Sequence, residues 1–223
     1  MKKLFFMASS GAAFAAFIFF TYLVKKDLFR QVDFDLAVKI KDNIPTRLDP
    51  LFNLASNAGS VFIISFVLLA VIWKFSIVQK AVTFFLYFGA QGLEYFLKIK
   101  LRQPGPTFQF QRHFTETAFD KDYVQAGYSY PSGHSFRAAF IALLIIYIAV
   151  RKWGVSIKSV IISGAAVGGA SFIMLGKMVL GAHWTSDIIG GAILAASMVA
   201  LVISYLPSSD RSDRVPSHEP RSK

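Results

Sequence analysis

Apolar residues in this chain fall into long blocks rather than into the every-other-residue pattern of a half-buried strand. The blocks cover residues 4–24, 59–73, 81–97, 135–150, 157–175 and 188–206. Most of them approach the roughly 17–25 residues that a helix needs to cross a bilayer. They predict an all-α, polytopic membrane protein with six transmembrane helices. The same pattern excludes a barrel of strands, in which apolar and polar positions would alternate.

The first block begins after Met1-Lys2-Lys3 and ends before Lys25-Lys26, and a cleaved signal peptide can have similar flanks. The apolar core of a signal peptide is usually about 7–15 residues long. This block is longer, and five further apolar blocks follow it. We therefore predict that it is retained as a membrane anchor.

Residues 27–45 have a mixed composition. Apolar side chains recur four residues apart, and charged side chains occupy the rest of the helical circumference. The apolar series consists of Leu28, Val32, Leu36, Ile40 and Ile44. This spacing predicts an amphipathic helix that lies in the membrane interface.

The two polar segments of the chain have different predicted roles. Residues 207–223 contain almost no apolar side chain and cannot bury enough surface to fold. We predict a single membrane domain over residues 1–206 and a disordered cytoplasmic tail over 207–223. The loop at 98–131 is long enough to cover a site, although a solvated connector would have a similar composition.

The chain carries 24 Lys and Arg residues against 13 Asp and Glu, a formal net charge of +11, and no cysteine. The basic residues are scattered among connecting loops, which favours anionic lipid over nucleic acid as the partner. The lack of cysteine excludes disulfides and thiolate metal sites. Basic residues in the short loops favour cytoplasmic termini, a plasma-membrane location, and an extracytoplasmic start for the fourth and sixth predicted spans.

Pro131-Ser132-Gly133-His134 directly precedes the fourth apolar block. Serine is a favoured N-cap, and the free N–H groups of a first helical turn can bind phosphoryl oxygens. Gly133 permits a close approach, and His134 then lies beside the bound group. Taken alone, the motif also fits a plain helix cap with an interfacial histidine.

His183 and Asp187 are four residues apart at the start of the sixth block, so they share one helix face. The carboxylate can accept a hydrogen bond from one ring nitrogen and leave the other as a lone pair. An isolated aspartate at this position can also simply favour the positive end of the helix dipole. Two histidines at two helix starts on one membrane side favour a phosphate-handling site.

Two lysines could neutralise a phosphoryl group. Lys98 ends the third predicted span, with Glu94 one turn before it in the favourable order, and Lys177 lies near the end of the fifth. Each lysine singly also fits a side chain that extends from a helix end to the membrane surface. An acidic residue such as Glu94 inside a span indicates a functional site by default.

Together these residues resemble the type 2 phosphatidic acid phosphatase superfamily of membrane lipid phosphatases, which is related in fold to the vanadium haloperoxidases. The family pattern is Lys, six residues, Arg-Pro; then Pro-Ser-Gly-His; then Ser-Arg, five residues, His, three residues, Asp. The second element is intact at 131–134, and the third keeps His183 and Asp187. The match extends from the third to the sixth predicted span.

The chain departs from the pattern at two positions. The Arg-Pro of the first element falls on Gly105-Pro106, so its arginine is absent; Arg102 is the nearest substitute and Arg112 a more distant one. In the third element Gly176-Lys177 replaces Ser-Arg. Lysine keeps the charge but loses the planar, two-pronged contact with phosphate. These changes affect transition-state stabilisation rather than the nucleophile.

The resemblance implies a metal-independent mechanism without a cofactor. His183 would attack phosphorus to form a phosphohistidine, oriented by Asp187, and His134 would protonate the leaving group. The groups that would bind phosphoryl oxygens are Lys98, Arg102, Ser132, Gly133 and Lys177. The expected activity is hydrolysis of a lipid phosphomonoester or diphosphate.

Several substrates and functions remain open at this point. Phosphatidate, phosphatidylglycerophosphate and polyprenyl diphosphates such as undecaprenyl diphosphate all fit, and transfer to another lipid could replace hydrolysis. The alternative function is a non-catalytic lipid-phosphate binder or carrier, which the absent arginine favours. A transporter would need polar or broken helices at the midplane, and the last three spans show few such residues.

Overall fold

The computed structural model describes residues 2–112 and 128–206, and the chain in these ranges is mainly helical. The predicted tail and residues 113–127 of the predicted 98–131 loop lie outside the described residues. Short 3₁₀ turns occur at Thr46–Leu48 and Phe108–Phe110. The α-helices are α1 (Lys2–Lys25), α2 (Arg30–Asn43), α3 (Asp49–Ala58), α4 (Val61–Val71), α5 (Ile77–Leu101), α6 (Gly133–Trp153), α7 (Ile157–Val179) and α8 (Thr185–Ser204).

Four of these helices, α1, α6, α7 and α8, are long and apolar enough to cross a bilayer. Helix α5 has 25 residues, enough for about 37 Å at 1.5 Å per residue, but it is less apolar. The all-α, polytopic membrane class is confirmed, while the number of six spans stays a prediction. The amphipathic segment forms the helix α2, and its place in the membrane interface also stays a prediction.

The predicted span at 59–73 forms a helix that is too short to cross a bilayer by itself. Helix α4 has only 11 residues, and it meets the helical segment Thr46–Ala58 at a bend of 56°. The bend lies at Gly59 and Ser60, where the Ser60 hydroxyl accepts a hydrogen bond from Ile63 N at 3.4 Å. A Cβ on Gly59 would lie 2.5 Å from Ile173 and 3.0 Å from His134. The chain therefore bends where its backbone packs against α6 and α7, a contact that the apolar run could not reveal.

Helix α6 is the centre of the bundle. It packs against α4, α7 and α8, while α1 lies along α8. Every residue of α6 from Gly133 to Ala142 is buried, and Phe140 and Leu144 are fully enclosed. Burial on all sides fixes the first turns of α6 in place, at the same end of the bundle as the start of α8.

Candidate active site

The start of α6 is held by hydrogen bonds on two sides. The Ser132 hydroxyl accepts from Ser135 N at 3.3 Å, which makes Ser132 the N-cap that the sequence predicts. Ser132 N donates to the carbonyl of Asp187 at 3.0 Å, and the Ser135 hydroxyl donates to the carbonyl of Ile188 at 2.6 Å. The starts of α6 and α8 are thus bonded to each other, and His134 is buried beside them.

The start of α8 brings His183 and Asp187 together. Asp187 Oδ2 lies 3.4 Å from His183 Nδ1 and accepts a hydrogen bond from Trp184 N at 2.8 Å. Both side chains are buried, and Asp187 is fully enclosed. His183 Nε2 has no hydrogen-bond partner within residues 2–112 and 128–206. With Nδ1 turned toward the carboxylate, Nε2 is the ring nitrogen available for chemistry.

The turn between α7 and α8 sets the position of His183. The carbonyl of Lys177 accepts hydrogen bonds from Ala182 N at 2.9 Å and from His183 N at 3.3 Å. Gly181 has a φ of 70°, a conformation that glycine adopts readily. The Phe110 carbonyl occupies the space where a Cβ on Gly181 would stand. A tight turn that only glycine permits therefore positions His183 at the start of α8.

Both predicted lysines are buried rather than extended to the membrane surface. Lys98 is 2% exposed and Lys177 is 3% exposed. Lys98 Nζ forms an ion pair with Glu94 Oε1 at 3.0 Å, as their spacing predicts. A Cβ on Gly133 would collide with the Glu94 carboxylate, so this ion pair lies directly against the first residue of α6. The structure thus brings Lys98 to the α6 start.

Arg102 and Arg112, the two arginines that could replace the absent motif arginine, have other positions and partners. Arg102 is exposed at the end of α5 and lines a cavity whose described wall contains neither histidine. Arg112 donates to Asp49 Oδ1 at 2.7 Å and to the carbonyl of Ile44 at 2.8 Å, so it fastens the loop to the α2–α3 connection. A Cβ on Gly105 would make only ordinary contacts, 3.4 Å from Ser129 Cβ and 3.9 Å from the Ala182 carbonyl.

Sequence analysis missed Arg137, which is buried in α6 one turn after His134. Its Nε donates to the carbonyl of Gly59 at 2.9 Å, and its Nη1 lies 3.5 Å from Gln91 Oε1. Because His134 also lies against Gly59, the guanidinium and the imidazole share one neighbourhood. The sequence did indicate Arg137, since a charged residue inside an apolar span indicates a functional site by default.

Asp33 was also missed. It is 6% exposed on α2, and its carboxylate accepts hydrogen bonds from Ser186 N at 2.9 Å and from the Ser186 hydroxyl at 2.6 Å. Burial raises the pKa of Asp33 above its ordinary 3.8, and the hydrogen bonds from Ser186 partly oppose this rise. The periodicity of the sequence could not indicate this contact, because Ser186 lies 153 residues from Asp33 along the chain.

Within the described ranges, no group of three or more His, Cys, Asp or Glu side chains could hold a metal ion. The ionisable side chains that are buried around the two helix starts are two histidines, three carboxylates, two lysines and one arginine. They are His134, His183, Asp33, Glu94, Asp187, Lys98, Lys177 and Arg137. Such a set can bind an anion and transfer protons.

Two solved structures have similar folds. A transmembrane PAP2-type phosphatidylglycerolphosphate phosphatase from Bacillus subtilis aligns with a TM-score of 0.70 at 16% identity, covering 95% of this chain and 99% of that one. LpxE from Aquifex aeolicus aligns with a TM-score of 0.53 at 20% identity, covering 77% and 93%. At these identities the likeness shows a shared fold. No curated protein sequence matches the chain significantly.

The sequence profile of the PAP2 superfamily matches residues 79–211, more than half of the chain. The matched segment includes Lys98, the motif at 131–134, and the His183–Asp187 pair. The chain therefore belongs to the PAP2 superfamily.

Proposed function

We propose that this protein is an integral membrane lipid phosphate phosphatase that works through a phosphohistidine on His183, without a metal or cofactor. The observation that carries the proposal is the arrangement at the start of α8. His183 Nδ1 faces the buried Asp187 carboxylate, and Nε2 is left without a described partner. This is the geometry of a nucleophile that a neighbouring group orients.

The start of α6 supplies the binding site for the phosphoryl group. Its helix dipole and the N–H of Gly133 favour an anion, and the buried cations Lys98 and Lys177 add positive charge. Buried charges act more strongly on a phosphoryl group than exposed ones, because little water screens them. Arg137 adds a further buried cation one turn after His134 on α6.

The reaction then has two balanced steps. In the first, the lone pair of His183 Nε2 forms a bond to phosphorus while the bond to the lipid oxygen breaks, and His134 gives that oxygen a proton. In the second, His134 takes a proton from water, whose oxygen attacks phosphorus and releases His183 with inorganic phosphate. The lipid product is an alcohol from a monoester and a monophosphate from a diphosphate.

The proposed location is the plasma membrane, with the site on the extracytoplasmic side. The buried histidines are both at the starts of apolar helices at one end of the bundle, so one membrane face serves both. The loop-charge pattern supports that face as the outer one. A lipid phosphate in the outer leaflet could then enter laterally between helices.

A non-catalytic lipid-phosphate binder is the second candidate, and the glycine at position 105 favours it. Without the motif arginine, a site can keep its affinity for phosphate while losing transition-state stabilisation. The oriented His183–Asp187 pair favours the enzyme, because a binding protein has little need of it. Transfer of the phosphoryl group to a second lipid is a variant of the enzymatic proposal, with an alcohol in place of water.

The decisive experiment is phosphate release by the purified protein in detergent with EDTA present. The panel consists of phosphatidate, phosphatidylglycerophosphate and undecaprenyl diphosphate. We expect turnover of at least one lipid and a loss of about 10⁴-fold or more in His183→Ala, the scale seen when a catalytic nucleophile is removed. A thermal unfolding curve shows whether the variant is folded.

The alternatives give different results in the same assay. Residual turnover in a folded His183→Ala protein would rule out His183 as the nucleophile. Binding of these lipids without turnover of any of them would establish the carrier. Release of phosphate only when an acceptor lipid is withheld, with labelled product lipid when it is added, would indicate a phosphotransferase.

A further inference from the structure

Arg137 is a buried cation inside the apolar part of α6, and its exposed fraction is only 4%. It lies four residues after Gly133, which is about 6 Å along the helix axis at 1.5 Å per residue. The guanidinium is therefore set back from the helix start that would bind a phosphoryl group. A charged side chain at such a place is costly and is retained where it has a function. Its hydrogen-bond partners show which part of the site it serves.

The acceptor of Arg137 is a carbonyl that the bend between α3 and α4 leaves without a main-chain donor. In a continuous helix the Gly59 carbonyl would accept a hydrogen bond from Ile63 N. Helix α4 begins after Ser60, however, and Ile63 N donates to the Ser60 hydroxyl at 3.4 Å. Arg137 Nε donates to the Gly59 carbonyl at 2.9 Å instead. The guanidinium thus satisfies a buried carbonyl to which no main-chain N–H of the described residues donates.

The main chain at Gly59 packs against the imidazole of His134. A Cβ on Gly59 would lie 3.0 Å from His134 Cδ2 and 2.5 Å from Ile173 Cγ2, so the edge of the ring occupies space that a side chain would need. His134 and Arg137 are three residues apart and share one face of α6. On this face the guanidinium holds the Gly59 main chain, and the imidazole packs against the same main chain.

Gln91 of α5 lies on another side of the guanidinium. Its Oε1 is 3.5 Å from Arg137 Nη1. Arg137 thus connects α5 and α6 to the bend between α3 and α4. A guanidinium is planar and carries its donors in a fixed fork, so two acceptors in different directions restrict its orientation. The position of the Gly59 main chain beside His134 therefore depends on this one side chain.

We propose that Arg137 is a positioning residue for His134. By holding the Gly59 carbonyl, it keeps the bend against the imidazole, and the imidazole keeps the orientation in which it gives its proton to the leaving oxygen. A misplacement of about 1 Å can cost about 10²-fold in rate. The inference rests on the proposed phosphatase function, in which His134 is the acid. The charge of Arg137 also attracts phosphate at longer range, and that attraction is common to all phosphate esters.

The test compares phosphatidate, whose leaving alkoxide needs a proton, with p-nitrophenyl phosphate, whose leaving phenolate does not. A weaker attraction for phosphate lowers kcat/KM for both substrates, so the ratio of the two values isolates the proton transfer. In Arg137→Met we expect the ratio of phosphatidate to p-nitrophenyl phosphate to fall about tenfold or more. Arg151→Met removes an exposed arginine from the last turn of the same helix and should keep the wild-type ratio.

A double variant separates positioning from an independent role of Arg137. If Arg137 acts through His134, its removal has no further effect on the ratio once the imidazole is absent. The ratio in His134→Ala combined with Arg137→Met should therefore equal the ratio in His134→Ala alone. Falls in the ratio that multiply in the double variant would show that Arg137 acts without His134, and they would overturn the proposal.

Arg137→Lys is a second variant, and thermal unfolding shows which of the two variants is folded. Lysine keeps the charge and a donor, but it replaces the rigid fork with one ammonium group on a flexible stem. We expect its ratio to lie between that of the wild type and that of Arg137→Met. An unchanged ratio in Arg137→Met, or in Arg137→Lys where only that variant folds, overturns the positioning role.

A measurement without turnover separates this proposal from the phosphatase proposal. The chain has 4 histidines, so the imidazole NMR signals of histidine-labelled protein can be assigned with His134→Ala and His183→Ala. We expect Arg137→Met to shift or broaden the His134 signals and to leave those of His183 in place. Arg151→Met should change neither. Unchanged His134 signals overturn the positioning role even where phosphatidate is hydrolysed. If neither substrate is hydrolysed, these signals alone decide the positioning role, and the lipid panel decides the phosphatase.

Discussion

The starts of α6 and α8 lie side by side, but different groups accept the hydrogen bonds of their free N–H groups. At α6 the cap is the neutral hydroxyl of Ser132, and the N–H of Gly133 is used by no residue in the described ranges. At α8 the carboxylate of Asp187 accepts from Trp184 N, and that of Asp33 accepts from Ser186 N. At α6 the Glu94 carboxylate beside Gly133 is paired with Lys98 and leaves the N–H of Gly133 without a described acceptor, while at α8 two carboxylates of the protein accept from the helix start itself.

This difference shows how one local structure can have two functions. A helix start attracts anions whether they belong to a ligand or to the protein. Where side-chain carboxylates occupy it, as at α8, it becomes a rigid support for the residue beside it, here His183. Where a hydroxyl and a glycine occupy it, as at α6, the attraction is available to a substrate phosphoryl group.

Among the changes that test this comparison, the largest expected effect is at the α6 start, in His134→Ala. Loss of a general acid typically costs about 10²–10⁴-fold in rate. The loss in kcat/KM, which reports the formation of the phosphohistidine and not its hydrolysis, should be much smaller for p-nitrophenyl phosphate, whose leaving group needs no proton. Phosphate release from both substrates measures this. An equal loss on both substrates would contradict the role of His134 as the acid.

Gly133→Ala tests whether the first residue of α6 must lack a side chain. The new methyl group would meet the Glu94 carboxylate, the mobile end of a side chain, and would disturb its ion pair with Lys98 without unfolding the helix. We expect turnover to fall about tenfold or more, the scale of a lost charged hydrogen bond, with the unfolding temperature little changed. Gly89→Ala on α5 is the matched control, because nothing lies within 4 Å of its Cβ position. Equal activity of the two variants would contradict the comparison.

Asp33→Asn tests the α8 start. An amide can accept from only one of the two Ser186 donors, so the support of His183 weakens, and we expect kcat to fall about tenfold. Asp35→Asn is the control, since Asp35 is exposed on the same helix and bonds only to Gln31 among the described residues. An unchanged kcat in Asp33→Asn would show that this contact serves packing alone.

The same variant has a pH signature. The folded pKa of Asp33 is raised above 3.8, so the stability linked to its protonation is present below 3.8 and is lost as pH rises through the folded value. The unfolding temperature of the wild type should therefore fall relative to that of Asp33→Asn as pH rises from about 4. Thermal unfolding at successive pH values measures the difference. A constant difference across this range would contradict the raised pKa.

The smallest expected effect is a gain, in Gly105→Arg. The backbone at Gly105 has room for a side chain close to the Ala182 carbonyl, one residue before His183. A guanidinium there would restore the planar contact with phosphate that the family pattern contains, and we expect kcat to rise several-fold. Gly105→Gln controls for bulk. A gain in both variants would point to packing rather than charge.

The helical class and the cap at Ser132 followed from the sequence because both depend on residues close together in the chain. The pairing of Lys98 with Glu94 and of His183 with Asp187 followed for the same reason, since each pair is four residues apart. Their roles in catalysis stay predictions until the variants are assayed.

What could not be predicted depends on distant contacts. The bend at Gly59 arises because α6 and α7 pack against that glycine, and the Asp33–Ser186 contact joins residues 153 positions apart. The separation of Arg102 from the histidines depends on how α5 ends, in a left-handed turn that the local sequence does not require. Arg137 differs from these, because a charge within an apolar run is visible in the sequence itself.

The position of Arg137 has a consequence for how the protein is made. An arginine within a transmembrane helix costs about 2.5–3.5 kcal/mol during insertion, and α6 carries one near its start. Its acceptor, the carbonyl of Gly59, is synthesised 78 residues earlier. The acceptor is therefore already synthesised when the charge that it binds leaves the ribosome.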